Sequence, residues 1–166
     1  MIDMLRDFVE EGGALYCGEA SRGIVPEVAR LIREARARGD LVVYICDRHR
    51  PDDAEFQMFR PHCLAGSRGA EVAEGLEPQP GDVVVPKRRY SGFFSTDLDL
   101  TLCEADVDKL RLCGVCTNIC VLYTAADARM RNYEVEVVRQ AVASFDSEAH
   151  EFALKELERT LGAKVV

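Results

Sequence analysis

Two periods of apolar residues alternate along the chain. From Ile24 to Arg38 the apolar side chains Val25, Val28, Leu31, Ile32 and Ala35 recur every three or four positions, which predicts a helix with one buried face, closed by Gly39 as its C-cap. Leu41–Cys46 is instead an unbroken apolar run of strand length, the pattern of a strand covered on both faces. Asp82–Pro86 reads the same way, and Lys109–Cys113, following Ala105–Val107, predicts another buried strand. Cys120–Met130 returns to helical spacing and Tyr133–Val138 to a strand. Glu148–Leu161 predicts a helix with Ser147 as its N-cap, and Ala163–Val166 a short last strand.

Strands alternating with helices predict an α/β fold: three layers, α/β/α, with a mainly parallel sheet of about six strands and helices on both faces. The 166 residues suit one domain spanning 1–166, with no linker or repeat. In such sheets a binding site lies beyond the carboxyl ends of the strands. Asp3, Asp47, Lys87 and the loop after Cys113 all fall at such ends. The first strand is anomalous, because only Met1 and Ile2 precede Asp3, where a central strand has about five or six residues. The expectation is a truncated first strand, with residues missing upstream or a misassigned start.

Composition narrows the partners. Apolar residues make up 48% and charged residues 30%, the balance of a globular protein. A net charge of -8 leaves no concentrated basic surface for nucleic acid or an anionic membrane, and Lys87-Arg88-Arg89 is too short to supply one. No apolar run is long enough to cross a bilayer and Asp3, Arg6 and Asp7 interrupt any leader, so the expected compartment is the cytoplasm. Seven cysteines, an odd number in a chain without a secretion signal, read as reduced thiols. Phe94 and Leu98–Leu102 are candidates for a homo-oligomer contact, although core burial is the commoner fate of such residues.

The segment Gly114-Val-Cys-Thr-Asn-Ile-Cys120 lies at a strand-to-helix junction. A cysteine at a helix N-terminus is favoured as thiolate by the dipole and by free amides, which can also stabilise an oxyanion. Nucleophile and buried thiol remain open for Cys120. A cluster site using Cys113, Cys116 and Cys120 is disfavoured, since Cys113 ends a strand and no second cysteine pair follows. A thiol nucleophile needs a proton acceptor. His49 and His62 belong to a different motif, leaving a carboxylate with a nearby cation, and Asp3 and Lys87 fit those roles. Asp47-Arg-His49, with Glu55 and Pro61-His62 following, offers mixed oxygen and nitrogen donors for zinc, manganese or iron. A hydrogen-bonded surface pair is the plain alternative for Asp47 and His49.

Taken together, the motifs carry a family resemblance. Asp3-Met-Leu-Arg-Asp-Phe8 followed by Gly12-Gly-Ala-Leu15, then Asp47-Arg-His49, Phe59-Arg-Pro-His62, Lys87-Arg-Arg-Tyr-Ser-Gly-Phe93 with Thr96-Asp-Leu98, and Gly114–Cys120 resemble, in order, the motifs of the nicotinamidase/isochorismatase-like cysteine hydrolases. The resemblance implies a triad of Asp3, Lys87 and Cys120, and a cis peptide at Val115–Cys116 that turns the amides of Cys116 and Cys120 into an oxyanion hole. It implies a divalent metal, zinc in the first place with manganese or iron as alternatives, on Asp47, His49 and His62, with Glu55 at the spacing of an additional ligand. It also implies that Phe8, Phe59 and Tyr90 flank the ring of a small carboxamide substrate, deamidated through a cysteine thioester.

This chain departs from the family in carrying Leu5-Arg6 where Gln-Asn or Gln-Arg is usual, Phe59 where Trp is frequent and Glu55 where many members have a third histidine. These differences bear on the substrate more than on the chemistry. The rival readings are a sister amidase for a ureido or carbamoyl substrate, an isochorismatase (disfavoured by the presence of Cys120), and a non-catalytic metal-binding member in which the short first strand misplaces Asp3.

Overall fold

The computed structural model describes residues 1–166 and has the alternating α/β order that the apolar periods predict. Five strands form: β1 (Val43–Asp47), β2 (Val83–Lys87), β3 (Lys109–Val115), β4 (Glu134–Ala143) and β5 (Lys164–Val165). The helices are α1 (Arg6–Val9), α2 (Glu19–Gly23), α3 (Val25–Arg38), α4 (Leu98–Glu104), α5 (Leu122–Met130) and α6 (Ser147–Arg159). All strand pairings are parallel, β2 with β1 in one ladder and β3–β4–β5 in another.

The expected count of six strands is corrected to five. The central position between β1 and β3 is held by Met1–Asp3, where Ile2 alone bridges to Ile45 on one side and Gly114 on the other. Its hydrogen bonds are nonetheless regular. Ile2 N–H donates to the Cys113 carbonyl, Asp3 N–H to Ile45, Ile45 N–H to Met1 and Val115 N–H to Ile2. Asp3 is thus fixed at the carboxyl end of the sheet although its strand is short.

Side chains of the strands alternate between two cores. Tyr44, Cys46, Cys113 and Val115 pack with Val28, Leu31 and Ile32 of α3 and with Leu5 and Phe8 around α1. Ile2, Ile45, Leu112, Val135 and Val137 pack on the opposite face with Leu98 and Leu102 of α4, Ala125 and Ala128 of α5, and Leu154 and Leu157 of α6. Apolar surface removed from water on both faces is the dominant stabilisation of such a sheet. The expected contact face divides accordingly: Leu98 and Leu102 are buried, whereas Phe94 and Leu100 are exposed.

Several boundaries shift for local reasons. Gly39 caps α3 in the left-handed conformation, donating to the Ala35 and Arg36 carbonyls, as its sequence position predicts. The cap of α6 is Asp146 rather than Ser147, because the Asp146 carboxylate accepts from the amides of Glu148 and Ala149. The predicted helix from Cys120 begins at Leu122, preceded by a π-helical turn over Thr117–Val121. β4 runs on to Ala143 past the exposed Arg139 and Gln140, which break the apolar pattern without breaking the strand. The first half of β3 is less covered than its apolar run predicts, with Lys109 and Arg111 exposed.

Gly114 is where β3 passes the N-terminal segment. Its φ of 122° suits glycine, and an added Cβ would overlap the Ile2 carbonyl. Gly114→Ala is therefore expected to cost about 3 kcal/mol or more, read as a lowered urea midpoint at unchanged m-value.

Candidate active site

Four neighbouring chain segments converge above the centre of the sheet. Lys87 ends β2, Asp47 ends β1 opposite it in register, Asp3 follows the N-terminal segment, and Cys120 stands in the π-helical turn after β3. All four are buried. Lys87 Nζ lies 2.7 Å from Asp3 Oδ2, 2.6 Å from Asp47 Oδ1 and 3.5 Å from Cys120 Sγ. Asp3 Oδ1 accepts the Asp47 amide at 2.9 Å. A carboxylate oxygen each from Asp3 and Asp47 and the Cys120 sulfur all fall within 4.8 Å of one another.

The electrostatics follow from burying one cation among three acids. Burial and the neighbouring Asp47 charge push the Asp3 carboxyl up to about 6, against the opposing pull of Lys87. Burial also works to raise Asp47, but Lys87 and His49 outweigh it and hold that carboxyl below its usual value. Burial disfavours the Lys87 ammonium, yet Asp3 and Asp47 keep it firmly charged. Burial pushes the Cys120 thiol well up, more than Lys87 pulls it down. Although a helix N-terminus favours thiolate, here desolvation exceeds the help from the helix end and from a lysine already engaged by two carboxylates, so Cys120 holds its proton more tightly than a free cysteine.

Asp47 has a second face. Its Oδ2 lies 3.5 Å from His49 Nε2 and 3.9 Å from His62 Nε2, and Glu55 Oε1 is 4.0 Å from each histidine nitrogen. His49 Nε2 is buried without a hydrogen-bond partner. Each ring is oriented through its other nitrogen: Nδ1 of His49 meets Asp53 Oδ2 at 3.2 Å, and Nδ1 of His62 meets the Arg60 carbonyl at 2.9 Å. An orphaned nitrogen and convergent donors, slightly wider apart than the about 3.4 Å of a tetrahedral shell, fit a divalent metal. Asp47, His49 and His62 form the tight group, with Glu55 alongside. Burial pushes His62 down, towards the neutral form a ligand needs, and raises Glu55 with help from Asp47.

A cavity of about 380 Å³ opens onto both groups. Phe8, Phe59 and Tyr90 line it, together with Asp3, Asp47, Glu55, His62, Cys116 and Cys120. Phe8 and Phe59 flank His62 with ring centroids 5.4 and 6.4 Å away. The peptide Val115–Cys116 is cis. Leu15, Val115 and Ile119, all within the quoted motifs, complete the wall with Tyr16, Cys17 and Phe145, which carry no signal in the sequence; Asp53 has only its place four residues after His49. Asp7, within the opening motif, lies outside this cavity. Its carboxylate accepts the amides of Ala14 and Cys63 and ties the segment after α1 to the loop that carries His62.

Known proteins resemble the chain along nearly its whole length. The Isochorismatase domain matches residues 1–166. The isochorismatase family protein PncA of Bacillus subtilis is 40% identical over 99% of this chain and 95% of its own length. The crystal structure of nicotinamidase/pyrazinamidase PncA from Bacillus subtilis superposes with a TM-score of 0.95 at 39% identity, over 99% and 96% of the two chains. The pyrazinamidase of Pyrococcus horikoshii, determined in complex with zinc, superposes with a TM-score of 0.94 at 34% identity, over 100% and 96%. The ureidoacrylate amidohydrolase RutB of Variovorax paradoxus is 32% identical over 85% of this chain and 66% of its own. The chain belongs to the isochorismatase-like hydrolases and resembles their nicotinamidase and pyrazinamidase members.

Proposed function

We propose that the protein is a nicotinamidase, releasing ammonia from nicotinamide through a thioester on Cys120, with Asp3 and Lys87 as its partners. The observation that carries this reading is the cavity wall. It is largely apolar and aromatic, reaches Cys120 and Asp3, borders the metal-ligand set, and includes no lysine or arginine. A neutral aromatic carboxamide suits such a wall. A carboxylate-bearing ureido substrate would find no lysine or arginine lining the cavity to pair it.

Asp3 takes the proton of the Cys120 thiol, and its raised affinity for protons matches it to that task. The sulfur attacks the amide carbon while Lys87, 3.5 Å away, offsets the charge leaving the thiol. Amides of Cys116 and Cys120 hold the developing oxyanion. Asp3 returns the proton to the leaving nitrogen, ammonia departs, and the same carboxylate deprotonates the water that opens the thioester. Lys87 stays charged throughout and keeps Asp3 aimed. Phe8, Phe59 and Tyr90 hold the ring and exclude water. A divalent ion on Asp47, His49 and His62, with Glu55 alongside, would supply a Lewis-acid contact that orients the substrate ring. Zinc suits these donors and is bound in the Pyrococcus horikoshii neighbour.

The zinc-loaded protein should release ammonia from nicotinamide, and Cys120→Ala should lower the rate by at least about 10³-fold. Release undiminished in Cys120→Ala would overturn the mechanism, and release from ureidoacrylate but not from nicotinamide would overturn the substrate.

Lys87→Ala should lower kcat at least about 100-fold and cost about 3–5 kcal/mol in urea unfolding, because it leaves two buried carboxylates unpaired. Near-normal turnover would rule out its role.

Isothermal titration of the metal-stripped protein should show one zinc bound per chain. Asp53→Ala should weaken that affinity about 10–100-fold by freeing the His49 ring and the Glu55 amide, while the ligand side chains themselves remain.

A further inference from the structure

Six of the seven cysteines are buried, and all seven are free thiols. Two of them, neither needed as a thiol by the chemistry above, stand apart from the rest. Cys17 Sγ and Cys116 Sγ are 3.3 Å apart, although 99 residues separate them in the chain. Both line the substrate cavity, so a small solute entering it meets them side by side. Cys17 also points its thiol at the Leu15 carbonyl, 3.4 Å away. The pair therefore sits between the Leu15–Cys17 wall and the turn that carries Cys120.

We infer that Cys17 and Cys116 form an oxidisable dithiol, closing to a disulfide when a hydroperoxide or a low-molecular-weight disulfide enters the cavity. The sulfur atoms need to approach from 3.3 Å to about 2.05 Å, a movement within reach of two side chains on separate segments. With a hydroperoxide, the sulfur of Cys116, the less deeply buried residue of the two, attacks the O–O bond. An S–O bond forms, the O–O bond breaks, sulfur is oxidised by two electrons, and the Cys116 proton leaves with the alcohol or water released. The Cys17 sulfur then displaces hydroxide from that sulfenic acid. The S–S bond forms, the S–O bond breaks, and the Cys17 proton leaves with hydroxide as water. With a small disulfide, two successive exchanges give the same cross-link and two molecules of free thiol.

The cross-link pulls the Leu15–Cys17 wall against the Cys116 turn, which carries an amide assigned to the oxyanion. Displacements of about 1 Å at a reacting centre can cost about 100-fold in rate. Oxidation is therefore expected to slow turnover reversibly, a consequence that rests on the hydrolase reading. Formation of the bond does not.

The test treats the zinc-loaded protein with hydrogen peroxide or oxidised glutathione, blocks remaining thiols with iodoacetamide, and maps peptides by mass spectrometry. The expected result is a Cys17–Cys116 linked peptide with a mass loss of about 2 Da, reversed by dithiothreitol. The same link should form in Cys120→Ala, where the proposed nucleophile is gone. Nicotinamide turnover, each protein compared with its own untreated rate, should fall at least about 10-fold in the parent and recover with dithiothreitol. Cys17→Ser should lose markedly less at the same dose. Cys17 and Cys116 both found alkylated after treatment would overturn the dithiol. A cross-link without slowed turnover would leave the bond standing and overturn its effect on the site. Equal sensitivity of Cys17→Ser would place the damage at Cys120 instead.

Discussion

The site is organised around one buried ammonium. Lys87 Nζ contacts carboxylates from the two neighbouring segments of the sheet, Asp47 at the end of β1 and Asp3 beyond Ile2. Removing three ionised groups from water costs several kcal/mol each, and that cost is offset only when opposite charges meet at hydrogen-bond distance with their remaining atoms satisfied. The parallel register supplies this condition. Asp47 lies opposite Lys87 in the ladder, and the Asp47 amide donates to Asp3, so backbone pairing and charge pairing hold the same three residues. Any shift of the sheet at this end would separate charges that cannot be left alone.

Asp47 links the two halves of the pocket. One oxygen faces Lys87 and the other faces His49 and His62. A cation on the histidine side would draw on the same carboxylate that steadies the ammonium, so the charge state around Cys120 and the state of the donor set are coupled through a single side chain. His49 extends the chain of contacts to Asp53, and Asp53 to Arg89, which returns to the segment after β2.

Burial gives the thiol its resting state. In water a nearby lysine and a helix end would favour thiolate, but Cys120 is enclosed and Lys87 is shared between two acids, so burial tightens the thiol's hold on its proton. Asp3 is pushed towards neutrality by that same enclosure. Desolvation thus raises the proton affinity of both groups, and on Asp3 it suits the carboxylate to receive a proton.

The layers and the order of the motifs follow from the residues alone. The helical spacing of Val25–Ala35 and the runs at Leu41–Cys46 and Asp82–Pro86 are set by which faces must leave water, and those periods survive in any correct fold. Asp3, Asp47, Lys87 and Cys120 were legible because strand ends in such sheets collect functional groups. The short helices α1 and α2, at Arg6–Val9 and Glu19–Gly23, were not legible, being too brief to show a period and formed by packing rather than propensity. Nor could spacing reveal that Ile2 alone fills the centre of the sheet, that Asp53 orients His49, or that Cys17 meets Cys116. Those facts join residues far apart in the chain or depend on one dihedral, and burial set the protonation of Cys120 in the same way. Distance and dielectric exist only once the chain has folded, so tertiary structure alone decided them.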